Sequence, residues 1–392
     1  MPKKISILGS TGSIGMSVFD IIKKEKKYFK IKLLLANKNY SLICKQIIKY
    51  RPEYYVINDQ NIFQKVKKKF KKNKIKILDR FDKNEKGIKS DITISAIPGL
   101  AGLKPTIKMV ELSRKLLIAN KESIICGWHL IQKVAKKNNT QIIPVDSEHF
   151  SIQEIIKNHK NDEIKKVFLT ASGGPFLNYS LTKLKKAKPK AALNHPKWKM
   201  GKKISIDSST LINKILELIE AQKLFNLPNN KLEVVIHPDS LVHAIVQFKN
   251  GLTKFVSHET SMIIPLANAI FENNFDINKF YKIKKNSILN QQKNIIFKKL
   301  DHKIFPIIKI KNKITEYPST PIIINSANEV LVDQFLKKNI PFLAIPKIIM
   351  IIMRDRNYRK YAIRQPSTLN KIYLVDAWTK QVTLRIIKNK YG

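Results

Sequence analysis

The chain begins with a short apolar segment, a glycine-rich turn and an amphipathic helix, and this order constrains its fold most. Lys4 to Leu8 is predicted to be a buried strand, and the heptapeptide Gly-Ser-Thr-Gly-Ser-Ile-Gly of residues 9–15 follows directly. Glycines here let the backbone approach a pyrophosphate closely, and the helix start supplies amide donors. The pattern predicts a dinucleotide-binding unit. A plain glycine turn is the alternative, because Thr11 stands where the usual motif has its second glycine.

The rest of the first half repeats this alternation of strands and helix-length segments. Ser41 is the candidate cap of the second helix. Such alternation predicts an α/β fold with a parallel, doubly wound, Rossmann-like sheet, whose ligands bind at the carboxyl ends of the strands. The further predicted strands are Ile31–Ala36, Tyr54–Ile57, Ile75–Leu78, Ile92–Ala96, Leu116–Ala119 and Gln141–Val145.

The composition of the chain changes after about residue 150. A strand is predicted at 167–171, and two more at 241–248 and 252–257 flank Asn250-Gly251, which is typical of a tight hairpin. Residues 273–300 are rich in lysine and asparagine and are predicted to be a linker, whereas the chain from 301 onward is predicted to be mainly helical, most clearly at 323–336. Since 392 residues exceed one ordinary core, we expect an α/β domain over 1–149, an α+β domain over 150–272 and a helical domain over 301–392.

The net charge of +45 raises the question of a nucleic-acid partner. The 74 basic residues comprise 66 lysines and only eight arginines, and the lysines are spread along the whole chain. Because base readers favour the planar guanidinium of arginine, we expect no specific nucleic-acid binding. Apolar runs are too short for a membrane span. Two cysteines without metal-ligand spacing predict a reducing cytoplasm.

The end of the second predicted strand bears on the choice of cofactor. NAD sites usually carry a carboxylate there for the ribose 2′-hydroxyl, but this chain has Asn37-Lys38-Asn39. No carboxylate repels a 2′-phosphate, and Lys38 attracts one, which favours NADP. The alternative is that Lys38 is simply one of the many surface lysines.

The tripeptide Asp146-Ser147-Glu148 follows the last predicted strand of the first half. Residues two apart in an extended segment point the same way, so the two carboxylates are expected to converge where ligands bind. Hard oxygen ligands suit Mg²⁺ or Mn²⁺. A helix-capping aspartate with an incidental glutamate is the alternative.

A third polar stretch runs from Asp207 to Glu217 and contains Ser208, Ser209 and Thr210, which look like the start of a helix. Asn213 and Glu217 are four apart and share a helical face, with Lys214 close to it. Hydroxyls, an amide and an ammonium near a helix start suit a phosphate, and Glu217 can add a third carboxylate. The alternative is an amphipathic helix with a surface pair of Lys214 and Glu217.

The loop from His195 to Gly201 contains Pro196, Trp198 and Met200 between apolar segments. This composition predicts a mobile flap that closes an indole over a ligand and excludes water. A loop packed on its own domain is the alternative.

Together these stretches resemble the 1-deoxy-D-xylulose 5-phosphate reductoisomerase family over nearly the whole chain. Several unrelated short motifs in one order are far more specific than the glycine turn alone. Besides that turn, the landmarks are A-I-P-G-L-A-G-L from Ala96, A-N-K-E-S from Ala119, V-D-S-E-H from Val145, S-G-G-P-F from Ser172, H-P-K-W-K-M-G from His195, I-D-S-S-T-L-I-N-K from Ile206 and N-E-V from Asn328.

The resemblance implies an NADPH-binding domain over 1–149 and a central domain over 150–272 that is catalytic, binds metal and substrate, and dimerises. It implies that Mn²⁺, Mg²⁺ or Co²⁺ is held by Asp146, Glu148 and Glu217. The implied catalytic residues are those three with Lys214, His195 and Trp198. The implied substrate contacts are Ser147, Glu148, Ser172, His195, Ser208, Asn213, Lys214 and Glu217. The implied NADPH contacts are Gly9, Ser10, Thr11, Gly12, Ser13, Ile14, Lys38, Asn39, Asn120, Lys121, Glu122 and Gly201.

The activity that the resemblance implies is the isomerisation and NADPH-dependent reduction of a sugar phosphate by a cytoplasmic homodimer in the non-mevalonate isoprenoid pathway. Two other classes of protein remain as alternatives. A metal-independent NAD(P) dehydrogenase would explain the glycine turn but not the carboxylates. A basic nucleic-acid-binding protein would bind DNA or RNA with a strong salt dependence.

Overall fold

Residues 1–81, 87–198, 200–272, 274–282 and 295–392 are described by a computed structural model. The strands are β1 (Lys3–Leu8), β2 (Phe29–Ala36), β3 (Tyr54–Ile57), β4 (Lys76–Leu78), β5 (Ser90–Ser95), β6 (Ser113–Ile118), β7 (Gln141–Pro144), β8 (Ile164–Ala171), β9 (Leu232–Ile236), β10 (Val242–Phe248) and β11 (Thr253–Ser257). The α-helices are α1 (Ser13–Ile22), α2 (Tyr40–Tyr50), α3 (Gln60–Lys69), α4 (Leu103–Glu111), α5 (Lys121–Asn138), α6 (Ser147–Ile156), α7 (Leu181–Lys185), α8 (Pro189–Leu193), α9 (Lys202–Thr210), α10 (Ile212–Phe225), α11 (Ile263–Phe271), α12 (Thr320–Leu336), α13 (Ala344–Ile352), α14 (Tyr358–Ala362) and α15 (Leu369–Tyr391).

The chain divides into two compact units. The first contains residues 1–123, 129–146 and the described part of 262–283. The second contains residues 124–128, 147–261 and the described part of 284–392. Of the predicted linker at 273–300, residue 273 and residues 283–294 lie outside the described residues. The predicted domain boundaries stay predictions.

The first unit is built on one parallel sheet with the strand order β4-β3-β2-β1-β5-β6-β7. Each neighbouring pair is parallel, and β2 and β3 are buried along almost their whole length, as parallel strands covered on both faces should be. The strand order reverses beside β1, the usual place for ligands in such sheets, and the glycine turn follows that strand. The predicted Rossmann-like fold class is confirmed.

Two glycines allow the turn after β1 to pack tightly. Gly9 has a φ of 84°, and a Cβ on it would lie 2.6 Å from the carbonyl oxygen of Ala96, just beyond β5. A Cβ on Gly15, in the first turn of α1, would lie 2.5 Å from the carbonyl oxygen of Gly9 and 2.7 Å from that of Ser10. The strand, the turn and the helix therefore approach too closely for any side chain at either position.

The second helix has a different cap from the predicted one. The side-chain oxygen of Asn39 accepts a hydrogen bond from the Leu42 amide at 3.1 Å, and α2 begins at Tyr40. Ser41 is already inside the helix, so the prediction that it forms the cap was wrong. Asn39 is an equally good capping residue and precedes Ser41 by two positions.

The second unit contains a mixed sheet with the order β11-β10-β8-β9. Strand β10 is antiparallel to β11 and β8, whereas β8 is parallel to β9. At the Asn250-Gly251 turn, Gly251 has a φ of 89°, and the Phe248 amide donates to the Leu252 carbonyl at 2.9 Å. The predicted hairpin is confirmed, and the sheet with α6–α10 forms the predicted α+β part.

Residues 301–392 of the second unit are mainly helical, as predicted. Phe342, just before α13, packs edge to face against Phe335 of α12 and Phe176 beyond β8, with ring centroids 5.6 and 4.8 Å apart. Such contacts contribute large buried apolar areas to a core. Among the described residues, no helix combines the length and apolar character needed to cross a bilayer.

Replacing Gly15 with alanine should destabilise the first unit. Helix propensity alone would stabilise the chain by about 1 kcal/mol, but the added methyl group would clash with the carbonyls of Gly9 and Ser10. Since overpacking costs about 1–3 kcal/mol, we expect a net loss of up to about 2 kcal/mol in the free energy of unfolding, measured with denaturant. Gly201→Ala is the matched control, because a Cβ there has nothing within 4 Å. A Gly15→Ala chain more stable than wild type would contradict this packing.

Candidate active site

The acidic tripeptide after β7 has a different backbone from the predicted one. Ser147 begins α6, and its hydroxyl donates to Glu148 Oε2 at 2.6 Å. Glu148 therefore lies in the first turn of a helix, where the helix dipole favours a carboxylate. The expectation that Asp146 and Glu148 lie on one side of an extended segment was wrong, because the extended backbone ends before Ser147. Asp146, which belongs to the first unit, forms an ion pair with Lys121 at 2.8 Å.

The hydroxyl cluster at 208–210 lies in the last turn of α9, not at a helix start. The hydroxyls of Ser209 and Thr210 donate to the Ile206 carbonyl at 2.8 and 3.1 Å, so they satisfy the end of their own helix. Leu211 then takes a left-handed backbone with a φ of 64°, and α10 follows. The prediction of a helix start at this cluster was wrong. Ser208 is only half-buried at this junction.

Lys214 on α10 lies between two carboxylates of the second unit. Its ammonium donates to Glu217 at 2.6 Å and also to Glu148, and the Asn213 amide donates to the other oxygen of Glu217. The side chains of Lys214 and Glu217 are only 7% and 1% exposed, so the alternative of a surface pair was wrong. Burial alone would lower the pKa of Lys214, but the two carboxylates raise it above its usual value.

The residues around Lys214 fit a divalent cation. Carboxylate oxygens of Glu148 and Glu217 lie within 4.8 Å of one another, and both already contact one cationic atom, the Lys214 Nζ. Two carboxylates at this separation, one buried and one mostly buried, repel each other unless positive charge lies between them. A metal ion with a preference for hard oxygen ligands would meet the same need, so Mg²⁺ and Mn²⁺ suit this pair.

His195 contacts Ser172, and the backbone fixes its tautomer. His195 Nδ1 accepts hydrogen bonds from the amides of Lys197 and Trp198 at 3.2 and 2.9 Å, so the ring hydrogen is on Nε2. Nε2 then donates to Ser172 Oγ at 3.0 Å, and Ser172 Oγ also accepts from the Gly174 amide at 3.0 Å. The hydroxyl hydrogen of Ser172 is left to donate to a ligand, and phosphate oxygens are strong acceptors.

The ring of His195 is neutral near pH 7. Burial, and to a smaller extent the charge of Lys214, lowers the pKa of His195 to about 4. A neutral imidazole is required for the contacts just described, because a protonated Nδ1 could not accept hydrogen bonds from two backbone amides.

The loop from 195 to 201 packs on the second unit through aromatic and polar contacts. The Trp198 indole packs edge to face on His243, with ring centroids 6.0 Å apart, and His243 stacks on His258 at 3.7 Å. Lys197 forms an ion pair with Asp239 at 3.0 Å. These contacts also fit the alternative of a loop packed on its own domain, so the role of Trp198 and Met200 as a mobile flap stays a prediction.

The predicted cofactor residues of the glycine turn lie at the end of β1, and Lys38 and Asn39 lie just after β2. Gly12, Ser13 and Lys38 are exposed. Ser10 is fully buried. The side-chain oxygen of Asn39 caps α2.

The predicted cofactor residues at the start of α5 are buried. The Asn120 side chain accepts from the Ser123 amide at 2.5 Å and donates to the Gly99 carbonyl at 3.0 Å, which joins the helix start to the loop after β5. Lys121 is paired with Asp146, and Glu122 lies in the first turn of the helix. Gly201 belongs to the second unit, at the start of α9.

Two buried polar contacts near the site carried no prediction. His149 Nε2 lies 3.0 Å from the Glu217 carbonyl oxygen, and its Nδ1 lies 3.4 Å from Glu220. The Asn328 amide of α12 donates to Asp207 of α9 at 2.8 Å. In the sequence, a polar residue among the apolar residues of a helix indicates a buried polar contact. The partners of His149 and Asn328 lie 68 and 121 positions away in these two hydrogen bonds, so sequence spacing could not identify them.

The family models that match the chain cover most of its length. They are 1-deoxy-D-xylulose 5-phosphate reductoisomerase over residues 5–127, its C-terminal domain over 142–225, and the DXP reductoisomerase C-terminal domain over 258–382. A curated 1-deoxy-D-xylulose 5-phosphate reductoisomerase from Pelagibacter ubique (strain HTCC1062) is 44% identical over 375 residues, which are 94% of this chain and 96% of the relative. One from Wolbachia sp. subsp. Drosophila simulans (strain wRi) is 39% identical over 394 residues, 99% and 98% of the two chains.

Solved structures give the same result. A DOX-P reductoisomerase in complex with NADPH, fosmidomycin and magnesium has a TM-score of 0.88 and 30% identity over 98% of both chains. The 1-deoxy-D-xylulose 5-phosphate reductoisomerase from Zymomonas mobilis in complex with NADPH has a TM-score of 0.87 and 28% identity over 99% of both chains. The resemblance predicted from the short motifs is confirmed over the length of the chain, which belongs to the 1-deoxy-D-xylulose 5-phosphate reductoisomerase family.

Proposed function

We propose that this chain converts 1-deoxy-D-xylulose 5-phosphate into 2-C-methyl-D-erythritol 4-phosphate, with NADPH as the reductant and a divalent metal ion as a required cofactor. The reaction is a step of the non-mevalonate route to isoprenoids. Within a chain of this family, the observation that carries the proposal is the mostly buried cluster of Glu148, Lys214 and Glu217. A metal-independent dehydrogenase has no need for this cluster, and a nucleic-acid-binding protein has no use for buried carboxylates.

We assign the metal to Glu148 and Glu217 and, from its position in the motif, to Asp146. When bound, the metal supplies a Lewis acid that stabilises negative charge on the substrate oxygens. Asn213 and Lys214 orient the two oxygens of Glu217 through their hydrogen bonds. A cation bound by the carboxylates would replace the Lys214 ammonium as their partner, and this ammonium would then bind the substrate.

We assign the phosphate end of the substrate to Ser172, His195, Ser208, Asn213 and Lys214. Ser172 has a hydroxyl hydrogen to donate, and Lys214 adds a positive charge. A phosphate held away from the reacting carbons supplies binding energy that orients the other end of the substrate. Ser147, hydrogen-bonded to Glu148, is assigned a contact with the substrate beside the metal.

We assign NADPH to the first unit, with its pyrophosphate at the glycine turn and its 2′-phosphate beside Lys38. The relatives of known structure that were solved with NADPH support this choice. When bound, NADPH would supply the hydride that reduces the aldehyde formed by rearrangement of the carbon skeleton, and a proton from water would complete the alcohol. The flap residues Trp198 and Met200 are proposed to exclude water during these steps.

We further propose a homodimer that assembles through β11 in the cytoplasm. Among the described residues, β11 is an edge strand of its sheet. Phe255 on this strand and Leu252 just before it are 50% and 56% exposed. An apolar edge strand is a template for pairing, and a second copy of the same chain is the commonest partner. The cytoplasm is the compartment where a chain with two cysteines needs no disulfide.

Replacing Glu217 with glutamine should remove most of the metal-dependent turnover. Glutamine keeps the shape of the side chain but lacks the negative charge that a metal ligand provides. We expect kcat to fall at least about 100-fold and the Kd for NADPH to stay unchanged. The measurement is NADPH absorbance during turnover of 1-deoxy-D-xylulose 5-phosphate, with Mn²⁺ titrated and then removed by a chelator.

Glu163→Gln is the matched control for this experiment, because Glu163 belongs to the same unit and its side chain is 49% exposed. It should turn over the substrate at the wild-type rate. If Glu217→Gln instead kept full activity in the absence of metal, a simple dehydrogenase would be the better assignment.

The lowered pKa of His195 predicts a loss of stability in mild acid. The pKa is about 6.5 in an unfolded chain and about 4 in the folded one. Between these pH values the unfolded chain binds a proton that the folded chain does not, so the free energy of unfolding falls as the pH drops from about 6.5 to about 4. His195→Asn should show a shallower fall in denaturant unfolding across this range. Equal slopes in the two proteins would count against the lowered pKa.

Replacing Phe255 with glutamate should weaken the proposed dimer. The substitution places a charge on the exposed edge strand, where a second copy would otherwise bury the aromatic ring. We expect a shift from dimer towards monomer in sedimentation velocity at micromolar concentration. Leu384→Glu on α15 is the matched control, since Leu384 is 48% exposed and lies on another element. A wild-type chain that sediments as a monomer would refute the dimer itself.

A further inference from the structure

A closed group of hydrogen bonds lies beneath the glycine turn, and two of its three residues, Gln46 and Tyr55, have no role in the function proposed above. It joins Ser10 of the turn to Gln46 of α2 and Tyr55 of β3, and these residues are 0%, 3% and 0% exposed. We propose that Gln46, supported by Tyr55, is a positioning residue that holds the glycine turn in its NADPH-binding conformation. This inference rests on the proposed function in one respect, namely that NADPH is the ligand of the turn.

The side-chain amide of Gln46 uses its full hydrogen-bonding capacity in this group. Its oxygen accepts from the hydroxyls of Tyr55 and Ser10 at 2.7 and 2.9 Å. Its nitrogen donates to the Ser10 carbonyl at 2.9 Å and approaches the sulfur of Met16 at 3.8 Å. The reverse orientation of the amide would bring its oxygen against the Ser10 carbonyl oxygen, so the contacts fix which way it faces.

The contact with the Ser10 carbonyl sets the direction of the next amide in the turn. Gly9 and Ser10 both donate their amides to the Leu35 carbonyl at 2.9 Å, which joins the turn to β2. In a planar trans peptide, the carbonyl and the following N–H point in opposite directions. Because Gln46 holds the Ser10 carbonyl inward, the Thr11 N–H is directed away from the core, towards the side from which a pyrophosphate would approach.

The chemistry of the group supports positioning rather than simple core packing. Burying polar groups is unfavourable unless each of them is hydrogen-bonded, and apolar side chains would fill the same space without that requirement. Burial also raises the pKa of Tyr55, so its hydroxyl stays a proton donor. The hydrogen bond from Gln46 to the turn is accepted by the main-chain carbonyl of Ser10. It therefore fixes the backbone conformation of the turn independently of the Ser10 side chain.

The test compares NADPH binding by three variants of the full-length chain. Gln46→Leu removes every polar contact of the amide, and Tyr55→Phe removes one hydroxyl that supports it. Tyr54→Phe is the matched control, because Tyr54 is the neighbouring residue of β3 and its ring contacts Lys32 and Lys76 rather than the turn. The Kd for NADPH is measured by fluorescence titration, and KM for both substrates, kcat and the melting temperature are measured in parallel.

We expect Gln46→Leu to raise the Kd and KM for NADPH about tenfold, and Tyr55→Phe to raise them about threefold, as the loss of buried hydrogen bonds predicts. The KM for the sugar phosphate should stay within about twofold of wild type, since its proposed contacts lie in the other unit. Tyr54→Phe should match wild type in every readout. A general loss of stability would not raise the KM for NADPH while leaving the KM for the sugar phosphate unchanged.

Wild-type Kd values in both Gln46→Leu and Tyr55→Phe would overturn the inference, as would an equal rise in Tyr54→Phe or a parallel rise in the KM for the sugar phosphate. If Gln46→Leu does not fold, the comparison of Tyr55→Phe with Tyr54→Phe decides. If the wild-type chain binds NADPH but does not turn over the sugar phosphate, the proposed function fails. The Kd values of the variants for NADPH still test the positioning role of Gln46. A wild-type chain that does not bind NADPH would overturn both.

Discussion

Two neighbouring carboxylates, one buried and one mostly buried, must share a cation, and the chemistry of the second unit depends on this constraint. Glu148 comes from the start of α6 and Glu217 from α10, while Lys214 supplies the positive charge between them. Helix α6 packs on β10, and α10 packs on β8, so the apolar core of the sheet fixes the two backbones. The electrostatic requirement then selects the ligand. Carboxylates that already stabilise an ammonium can also bind a metal ion of higher charge that prefers oxygen ligands.

The same requirement, that buried polar groups be satisfied, organises the parts that face the substrate and the cofactor. His195 serves as a neutral acceptor for two backbone amides and as a donor to Ser172, so one ring joins the loop to the proposed phosphate site. Below the glycine turn, the Gln46 amide donates to the Ser10 carbonyl in the same way. In both places a side chain with donor and acceptor atoms fixes the backbone by pairing with it. Pre-organised contacts of this kind lower the cost of binding, because the groups need not be ordered when the ligand arrives.

Charged residues have different roles at the surface and in the candidate active site. Acidic residues number only 29 against 74 basic ones, yet Glu148, Glu217 and Asp146 are each paired with a lysine or an equivalent donor. These few carboxylates thus set the chemistry, while the many exposed lysines set the net charge. The prediction of no specific nucleic-acid partner stays a prediction.

The sequence by itself determined the fold class and the family. Period-two and period-3.6 patterns identified the strands and helices, and the order of short motifs identified the reductoisomerase family, because both kinds of signal are local. It also suggested the metal and phosphate residues by type. Only the tertiary structure decided the geometry. Ser147 begins a helix instead of extending a strand, Asn39 caps α2 in place of Ser41, and the pair of Lys214 and Glu217 is buried. The contact between Gln46 and Ser10 joins residues 36 positions apart. Such contacts depend on which helices and strands the fold brings together. The spacing of residues along the chain does not predict these neighbours.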